Sequence, residues 1–235
     1  MIRATVRVAK NRCKVLAGTG SNSTAGSIQM TEMVEKMGVD GMLVVAPYYN
    51  KPTQEGIFQH FRAIAQATEL PLMLYNIPGR CGVDISPETV ERLAISCRNI
   101  VSIKEASGSV DRVSDLRARL PEAFTILSGD DSLTLPFLSV GAVGVVSVAS
   151  NLFPAEVSAM VQAFRTGDVT TAREMHLKLL PIFKDLFIES NPVPTKTALS
   201  WRGLMSAECR LPLCEMSEAN VTRLRTTLDA FEGTA

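Results

Sequence analysis

Short apolar runs alternate with longer amphipathic segments over the first 164 residues of the chain. The runs are almost continuous in Val, Ile, Leu and Ala, which is typical of parallel strands buried on both faces of a sheet. The segments between them repeat apolar residues every three or four positions, as amphipathic helices do. Six strand and helix pairs are predicted, with strands at 14–18, 41–46, 72–75, 100–104, 124–127 and 144–148 and helices at 23–37, 54–68, 87–96, 110–120, 132–138 and 154–164. This order predicts an α/β fold, either a barrel or a doubly wound open sheet.

Glycine and proline set several of these boundaries. Gly38 closes the first helix. Ser86 before Pro87 predicts a helix start, because the hydroxyl can accept a hydrogen bond from a free amide and proline fits the first turn.

The alternation stops after Gly167, and only helices are predicted beyond it. They lie at 169–187, 195–205 and 217–231, with a proline-broken loop at 191–194. We therefore expect a barrel-type region at residues 1–166 and a C-terminal helical extension at residues 167–235.

Charge and hydropathy argue against nucleic acid and membranes as partners. The 24 basic residues balance 24 acidic ones, so the chain has no excess of positive charge for a phosphate backbone or an anionic lipid surface. No apolar run approaches the roughly 20 residues that cross a bilayer. The first residues also lack the apolar core of a signal peptide, so we expect a cytoplasmic protein.

Cysteine and histidine are too sparse to suggest a familiar catalytic centre. Five cysteines, an odd number in a chain long enough to bury its own core, predict reduced thiols. The two histidines, His60 and His176, lie far apart in sequence, which disfavours a zinc site or a Ser-His-Asp hydrolase. The chemistry is therefore sought among lysine, tyrosine, arginine and carboxylates.

Lys104 is the sharpest candidate because it terminates an apolar strand-like run. In a barrel, that position points an amine into the enclosed mouth, where it can act as a nucleophile. From position alone, an ion pair with a neighbouring carboxylate such as Glu105, Asp130 or Asp131 explains the residue equally well. Tyr75 ends the preceding strand, so its phenol can lie across the mouth from the amine and carry protons; a core tyrosine is the alternative.

Two further strand ends carry polar groups. Arg80 follows in a loop stiffened by Pro78, where a guanidinium can grip a substrate carboxylate or simply face solvent. Tyr48 and Tyr49 stand together after another strand, so their hydroxyls face different directions and one can pass into a neighbouring subunit; a plain aromatic rim is the alternative. The Gly18-Thr19-Gly20 turn fits neither the P-loop nor the dinucleotide fingerprint.

Taken as a set, these strand ends resemble the pyruvate-dependent class I aldolases, the family of dihydrodipicolinate synthase and N-acetylneuraminate lyase. The resemblance runs from about Lys14 to Phe231 and is closest to the dihydrodipicolinate synthase branch. The strings that carry it are GTGSNSTA (18–25), PYYNKPTQEG (47–56), YNIPGR (75–80), IKEASG (103–108), LSGDD (127–131) and GAVGVVSVASN (141–151). It implies a (β/α)8 TIM barrel with a C-terminal helical extension.

The resemblance also implies roles for individual residues. Lys104 would form a Schiff base with pyruvate, and Tyr75 would relay protons. Arg80 would bind the carboxylate of L-aspartate 4-semialdehyde, which sets this branch apart from the sugar-acid lyases. Tyr49 would reach into the partner subunit of a dimer within a dimer of dimers.

Four other positions match with smaller roles. Gly129 and Val146 would line the pyruvate pocket through their backbone. Asn22 and Tyr48 match an allosteric site for lysine, but Gly26 stands where feedback-inhibited relatives have an acidic residue. We therefore expect weak or no inhibition by lysine.

The implied reaction condenses pyruvate with L-aspartate 4-semialdehyde in lysine and diaminopimelate biosynthesis, with no metal or redox cofactor. The alternatives are an aldolase for N-acetylneuraminate or 2-keto-3-deoxy sugar acids, which would not need Arg80, and a non-catalytic relative or fragment. The last alternative arises because six strands are predicted where a closed barrel has eight, and because the family's Gly-Thr-Thr-Gly-Glu segment has no counterpart here. We expect a barrel that lacks its N-terminal strand-helix-strand region.

Overall fold

The structure is a computed structural model that describes residues 1–9 and 12–233. Its six strands are β1 (Leu16–Gly18), β2 (Gly41–Val45), β3 (Leu72–Asn76), β4 (Ile100–Glu105), β5 (Thr125–Ser128) and β6 (Gly144–Val145). The helices up to residue 165 are α1 (Ile2–Ala9), α2 (Thr24–Glu35), α3 (Gln54–Ala65), α4 (Pro78–Cys81), α5 (Pro87–Ser96), α6 (Val110–Arg119), α7 (Thr134–Ser139) and α8 (Pro154–Arg165). The later helices are α9 (Val169–Asp185), α10 (Val193–Trp201) and α11 (Glu218–Glu232). The predicted alternation of strand and helix is confirmed.

The strands lie in sequence order, from β1 to β6. The pairs from β1 to β5 are all parallel, so their carboxyl ends meet at one edge. In this register Tyr75 on β3 is paired with Lys104 on β4, and Asn76 is paired with Glu105. The Tyr75–Lys104 pair and the Asn76–Glu105 pair therefore lie on opposite faces of the sheet, because side chains alternate along a strand.

Two compact units make up the described chain. The first contains Met1–Gly129 with Val140–Val143, and the second contains Asp130–Ser139 with Gly144–Ala235. These bounds do not test the expected division at residue 166, which stays a prediction. The core of the first unit is made of large, fully buried side chains from its strands, its helices and the loop before α5: Met42, Ile57, Phe61, Ile64, Leu72, Leu74, Ile85, Leu93, Ile103, Leu116 and Ile126. The second has a core of its own, which includes Leu152, Phe153, Met160, Leu179, Ile182, Phe183, Leu186, Leu224 and Leu228.

Side-chain caps explain where several helices begin. The hydroxyls of Ser23, Thr53, Ser86 and Ser109 each accept a hydrogen bond from the amide three residues later, at the start of α2, α3, α5 and α6. Each cap satisfies one of the amides that a helix start leaves without a backbone partner. The prediction that α5 begins at Ser86-Pro87 is confirmed.

Most predicted elements are shifted by one to three residues at one or both ends, and four segments differ for a local reason. The strand expected at 144–148 ends at Val145, because the backbone then turns so that the amides of Val148 and Ala149 donate to the buried carboxylate of Asp131. The helix expected at 132–138 is a 3₁₀ turn, Asp131–Leu133, followed by α7. The helix expected from residue 195 begins at Val193, since Pro194 suits a first helical turn, and it ends at Trp201 rather than at 205. The YNIPGR segment leads into the one-turn helix α4, which begins at Pro78 and ends at Cys81, instead of an open loop.

Candidate active site

Lys104 and Tyr75 lie side by side at the carboxyl edge of the sheet. Both side chains are half-buried, and the Nζ atom of Lys104 lies 4.0 Å from the centroid of the Tyr75 ring. We expected the phenol to lie across a barrel mouth from the amine; because β3 and β4 are paired, the two side chains are direct neighbours. A lysine nitrogen at this distance from an aromatic face is within the range of a cation–π contact, which holds the amine against the ring.

Burial and charge act in opposite directions on Tyr75. Burial raises the pKa of its hydroxyl, and the positive charge of Arg80 opposes that rise. The phenol therefore stays protonated at neutral pH and can serve as a proton donor.

Arg80 lies on α4, two residues after the proline that begins this turn. Gly82 closes it with φ +70, a left-handed conformation that glycine adopts without strain. The guanidinium is exposed to solvent. It thus stands a short turn beyond the end of β3, where an incoming anion can reach it.

Gly129 packs directly against Lys104. A Cβ atom at this position would come within 3.0 Å of the Lys104 Cε atom and 2.7 Å of the Ala106 Cβ atom. Its amide also donates to the carbonyl of Glu105 at 2.7 Å. Only glycine fits between these groups, so the residue expected to line the pocket does border the lysine side chain.

Tyr49 adopts a left-handed backbone with φ +75, and Lys51 follows with φ +44. The side chain of Tyr49 is 88% exposed, and its amide donates to the carbonyl of Cys81 at 3.3 Å. Left-handed residues other than glycine cost conformational energy and cluster at functional sites. The loop thus holds Tyr49 outward while its backbone contacts the α4 turn.

Asn22 lies next to the same loop. Its carbonyl accepts a hydrogen bond from the side-chain amide of Asn50 at 3.0 Å, which joins the Asn22 segment to the residue after Tyr49. Tyr48 is 41% exposed. At Gly26, in the first turn of α2, an added Cβ would meet no atom closer than 3.5 Å, so a methyl group would fit.

Val146 belongs to the second unit, directly after β6, and is half-buried. The segment after it is held by Asp131, whose Oδ2 atom accepts hydrogen bonds from the amides of Val148 at 2.9 Å and Ala149 at 3.0 Å. Burial raises the pKa of Asp131, while hydrogen bonds from Ser147 and these two amides oppose that rise. The carboxylate therefore fixes the backbone near Val146.

A buried network around Glu105 was missed by the sequence analysis. The carboxylate is fully buried and accepts from the Asn76 side chain, from the Ser107 amide and from Arg112. Glu105 had been considered as an ion-pair partner of Lys104, yet strand alternation turns it to the opposite face. Polar residues at the ends of two adjacent apolar strands, Asn76 and Glu105, were the available signal.

The described residues contain no group of three or more His, Cys, Asp and Glu side chains placed to hold a metal ion. All five cysteines are free thiols. Within residues 1–9 and 12–233, no helix has the length and apolar character needed to cross a membrane.

Comparison with known proteins places the chain in one family. Residues 1–231 match the profile of the Dihydrodipicolinate synthetase family. The chain is similar to the 4-hydroxy-tetrahydrodipicolinate synthase of Desulforamulus reducens, at 52% identity over 97% of this chain and 77% of that protein. It is also similar to the enzyme of the same name from Thermosynechococcus vestitus, at 55% identity over 93% of this chain and 74% of that protein.

A solved structure agrees with the sequence comparison. The 4-hydroxy-tetrahydrodipicolinate synthase of Methylacidiphilum fumariolicum SolV superposes with a TM-score of 0.98 at 59% identity, covering 99% of this chain and 77% of that one. The predicted fold class, an α/β fold of the (β/α)8 barrel type with six βα units in this chain, is confirmed. The chain belongs to the dihydrodipicolinate synthetase family.

Proposed function

We propose that the chain is a Schiff-base lyase that condenses pyruvate with L-aspartate 4-semialdehyde to give 4-hydroxy-tetrahydrodipicolinate, in lysine and diaminopimelate biosynthesis. Family membership and the names of its relatives support this activity. The structural observation that carries it is the Lys104 Nζ atom held 4.0 Å from the Tyr75 ring centroid at the ends of adjacent strands. We also propose that this biosynthetic enzyme acts in the cytoplasm.

In the proposed reaction, the neutral amine of Lys104 attacks C2 of pyruvate. The carbinolamine loses water to give a protonated imine, and loss of a C3 proton gives an enamine. That enamine forms the new C–C bond with the aldehyde carbon of the semialdehyde. The semialdehyde amine then attacks C2, closes the ring and releases Lys104 as the free amine. The protonated imine is the electron sink, so we propose no metal or redox cofactor.

Tyr75 and Arg80 would serve the two substrates. The protonated phenol beside the lysine can pass protons to and from the carbinolamine. The exposed guanidinium on α4 can bind the semialdehyde carboxylate through two parallel hydrogen bonds. The backbones of Gly129 and Val146 would line the pyruvate pocket.

Tyr49 would act in an assembly of several copies. Its 88% exposed side chain projects away from its own backbone contacts, as a residue that completes a partner's site would. We propose a homo-oligomer, a dimer of dimers, in which this tyrosine contributes to the proton relay of the neighbouring subunit.

Lysine feedback is proposed to be weak or absent. Asn22 and Tyr48 match the inhibitor site of lysine-sensitive relatives, but Gly26 supplies no carboxylate for the inhibitor's amine. Gly26→Glu supplies the missing carboxylate at a position where an added Cβ meets no atom closer than 3.5 Å, so it should introduce or strengthen inhibition, and Gly26→Ala should not. Initial rates at increasing L-lysine test this; micromolar inhibition of the unmodified chain would refute it.

Covalent trapping tests the central step. The chain is treated with pyruvate and borohydride, and tryptic peptides are analysed by mass spectrometry. We expect a reduced pyruvate adduct on Lys104, with none in Lys104→Arg and an unchanged yield in Lys51→Arg. Absence of any adduct on the unmodified chain would point to the non-catalytic relative.

A second assay identifies the acceptor. Activity is compared with L-aspartate 4-semialdehyde, N-acetylneuraminate and a 2-keto-3-deoxy sugar acid. We expect turnover of the semialdehyde alone and a KM for it that rises in Arg80→Ala. Turnover of a sugar acid that is unaffected by Arg80→Ala would favour the aldolase alternative.

A further inference from the structure

We propose that Arg112 and Glu105 are positioning residues that hold Lys104 and the Arg80 turn in one arrangement. The inference rests on the proposed function for the roles of Lys104 and Arg80. Neither Arg112 nor Glu105 faces the lysine side of the sheet; both act through the backbone.

The first step concerns the orientation of the end of β4. Lys104 and Glu105 are consecutive, so their side chains leave opposite faces of the strand. The Glu105 side chain is fully buried, and its Oε2 atom accepts from Arg112 Nε at 2.8 Å. Its Oε1 atom accepts from the amide of Ser107 at 2.7 Å. A rotation of the strand end that swung Lys104 away would therefore break both contacts.

The second step concerns the neighbouring strand. The side-chain amide of Asn76 lies 3.1 Å from both carboxylate oxygens of Glu105. Asn76 is paired with Glu105 just as Tyr75 is paired with Lys104. The buried amide and carboxylate therefore hold the register that keeps the Tyr75 ring beside the amine.

The third step reaches the Arg80 turn. Arg112 Nη1 donates to Asp84 Oδ2 at 3.0 Å, and Nη2 donates to the carbonyl of Ile85. Asp84 also accepts from Asn76 through Oδ1 at 2.7 Å. Asp84 and Ile85 come three and four residues after the end of α4, the turn that carries Arg80. One guanidinium thus joins the lysine strand to the segment that presents the second cation.

The geometry requires arginine rather than a simple positive charge. The Arg112 side chain is only 10% exposed, and three of its nitrogens bind three different acceptors. A lysine ammonium is a point charge on a flexible stem and cannot span these directions. A lysine could form an ion pair with one carboxylate here, but only the planar guanidinium of arginine can bind Glu105, Asp84 and Ile85 at once.

The test compares Arg112→Lys and Glu105→Gln with Arg92→Lys, a matched control in which the replaced arginine pairs with Glu55 at 2.8 Å on the exposed surface. The first readout is the pH profile of acetylation of Lys104 by acetic anhydride, measured by mass spectrometry against the exposed Lys36. We expect the midpoint for Lys104 to move by about half a pH unit or more in both network variants and to stay in place in the control. Thermal melting confirms that each variant is folded at the assay temperature.

The second readout is kinetic. In Arg112→Lys we expect kcat to fall about 10-fold or more, with a smaller change in the KM for pyruvate, because the amine is misplaced rather than lost. Methylguanidine should restore part of the activity of Arg112→Ala. Folded network variants with the acetylation profile of the unmodified chain would overturn the proposal. Failure of pyruvate trapping in the unmodified chain would refute the proposed function instead, since acetylation does not depend on turnover.

Discussion

The two faces of the sheet at the ends of β3 and β4 treat polar groups in opposite ways. On one face, Tyr75 and Lys104 remain half-buried and in contact with each other. On the other face, Asn76 and Glu105 are fully buried and accept or donate several hydrogen bonds each. A group that must react needs access, whereas a buried charge is tolerated only when its partners replace water. Two consecutive residues of one strand can therefore have different roles: Lys104 is accessible for reaction, and Glu105 stabilises the strand end through buried hydrogen bonds.

The largest loss of stability should come from removing the buried carboxylate of Glu105. Glu105→Ala leaves the nearly buried Arg112 paired with the half-exposed carboxylate of Asp84 and removes an acceptor of Asn76 and of the Ser107 amide. We expect it to lower the free energy of unfolding by about 3 kcal/mol. Arg92→Ala removes a partner from a pair in which both side chains are about half exposed, so its cost should stay below about 1 kcal/mol. Urea denaturation of both variants measures the difference. Equal losses would show that burial does not separate the two pairs.

Acid should destabilise the fold through a second buried polar group, His60. Burial lowers the pKa of His60 to about 4, while an unfolded histidine titrates near 6.5. The neutral ring stabilises the fold fully above pH 6.5, and this contribution, about 3 kcal/mol, is lost as the pH falls through 4. In His60→Gln, unfolding free energies measured from pH 7 to 4 should fall less steeply. A slope equal to that of the unmodified chain would contradict the assignment.

Adding a side chain on the face that carries Lys104 should cost less stability. In Gly129→Ala the new methyl group would lie 2.7 Å from Ala106 and 3.0 Å from the Lys104 side chain. We expect a loss of about 1–3 kcal/mol in stability and slower trapping of pyruvate, because the lysine must shift. Gly18→Ala is the control, since no atom lies within 4 Å of its added Cβ. Differential scanning calorimetry and timed borohydride quenching report the two effects separately.

The smallest effect should be a gain. Gly26 lies in the helical first turn of α2 with room for a methyl group, so Gly26→Ala should stabilise the chain by about 0.5–1 kcal/mol. It should leave pyruvate trapping unchanged, because it touches neither face of the β3–β4 edge. Thermal unfolding checks the sign, and destabilisation would mean that the packing at Gly26 is tighter than it looks.

Much of the fold could be predicted from local pattern. Apolar runs of four to six residues marked each strand, and Ser86-Pro87 marked a helix start that the cap then confirmed. The short elements were harder to predict from the sequence. Val146 to Val148 read as strand, yet the backbone there is turned by the distant carboxylate of Asp131. Such an override arises because a buried carboxylate must find donors wherever the chain can supply them.

The candidate site was predictable in its members but not in its geometry. Lys104, Tyr75 and Arg80 were found because chemistry-bearing residues stood at strand ends. The contact between the Lys104 amine and the Tyr75 ring depends on the register of β3 against β4, which a single sequence does not specify. Arg112 looked like one charged residue among several on a polar helix face, so its role went unnoticed.

By itself, the sequence determined the alternation of buried strands and amphipathic helices, the capped helix starts and the placement of one lysine at the end of an apolar run. These features are local, because periodicity and capping act over a few residues. Only the tertiary structure decided that Glu105 turns away from Lys104, that Asn76 and Arg112 meet it, and that Asp84 joins the Arg80 turn to the same network. Those contacts link residues 7 to 29 positions apart, and their energy depends on burial and distance that exist only once the strands and helices have packed.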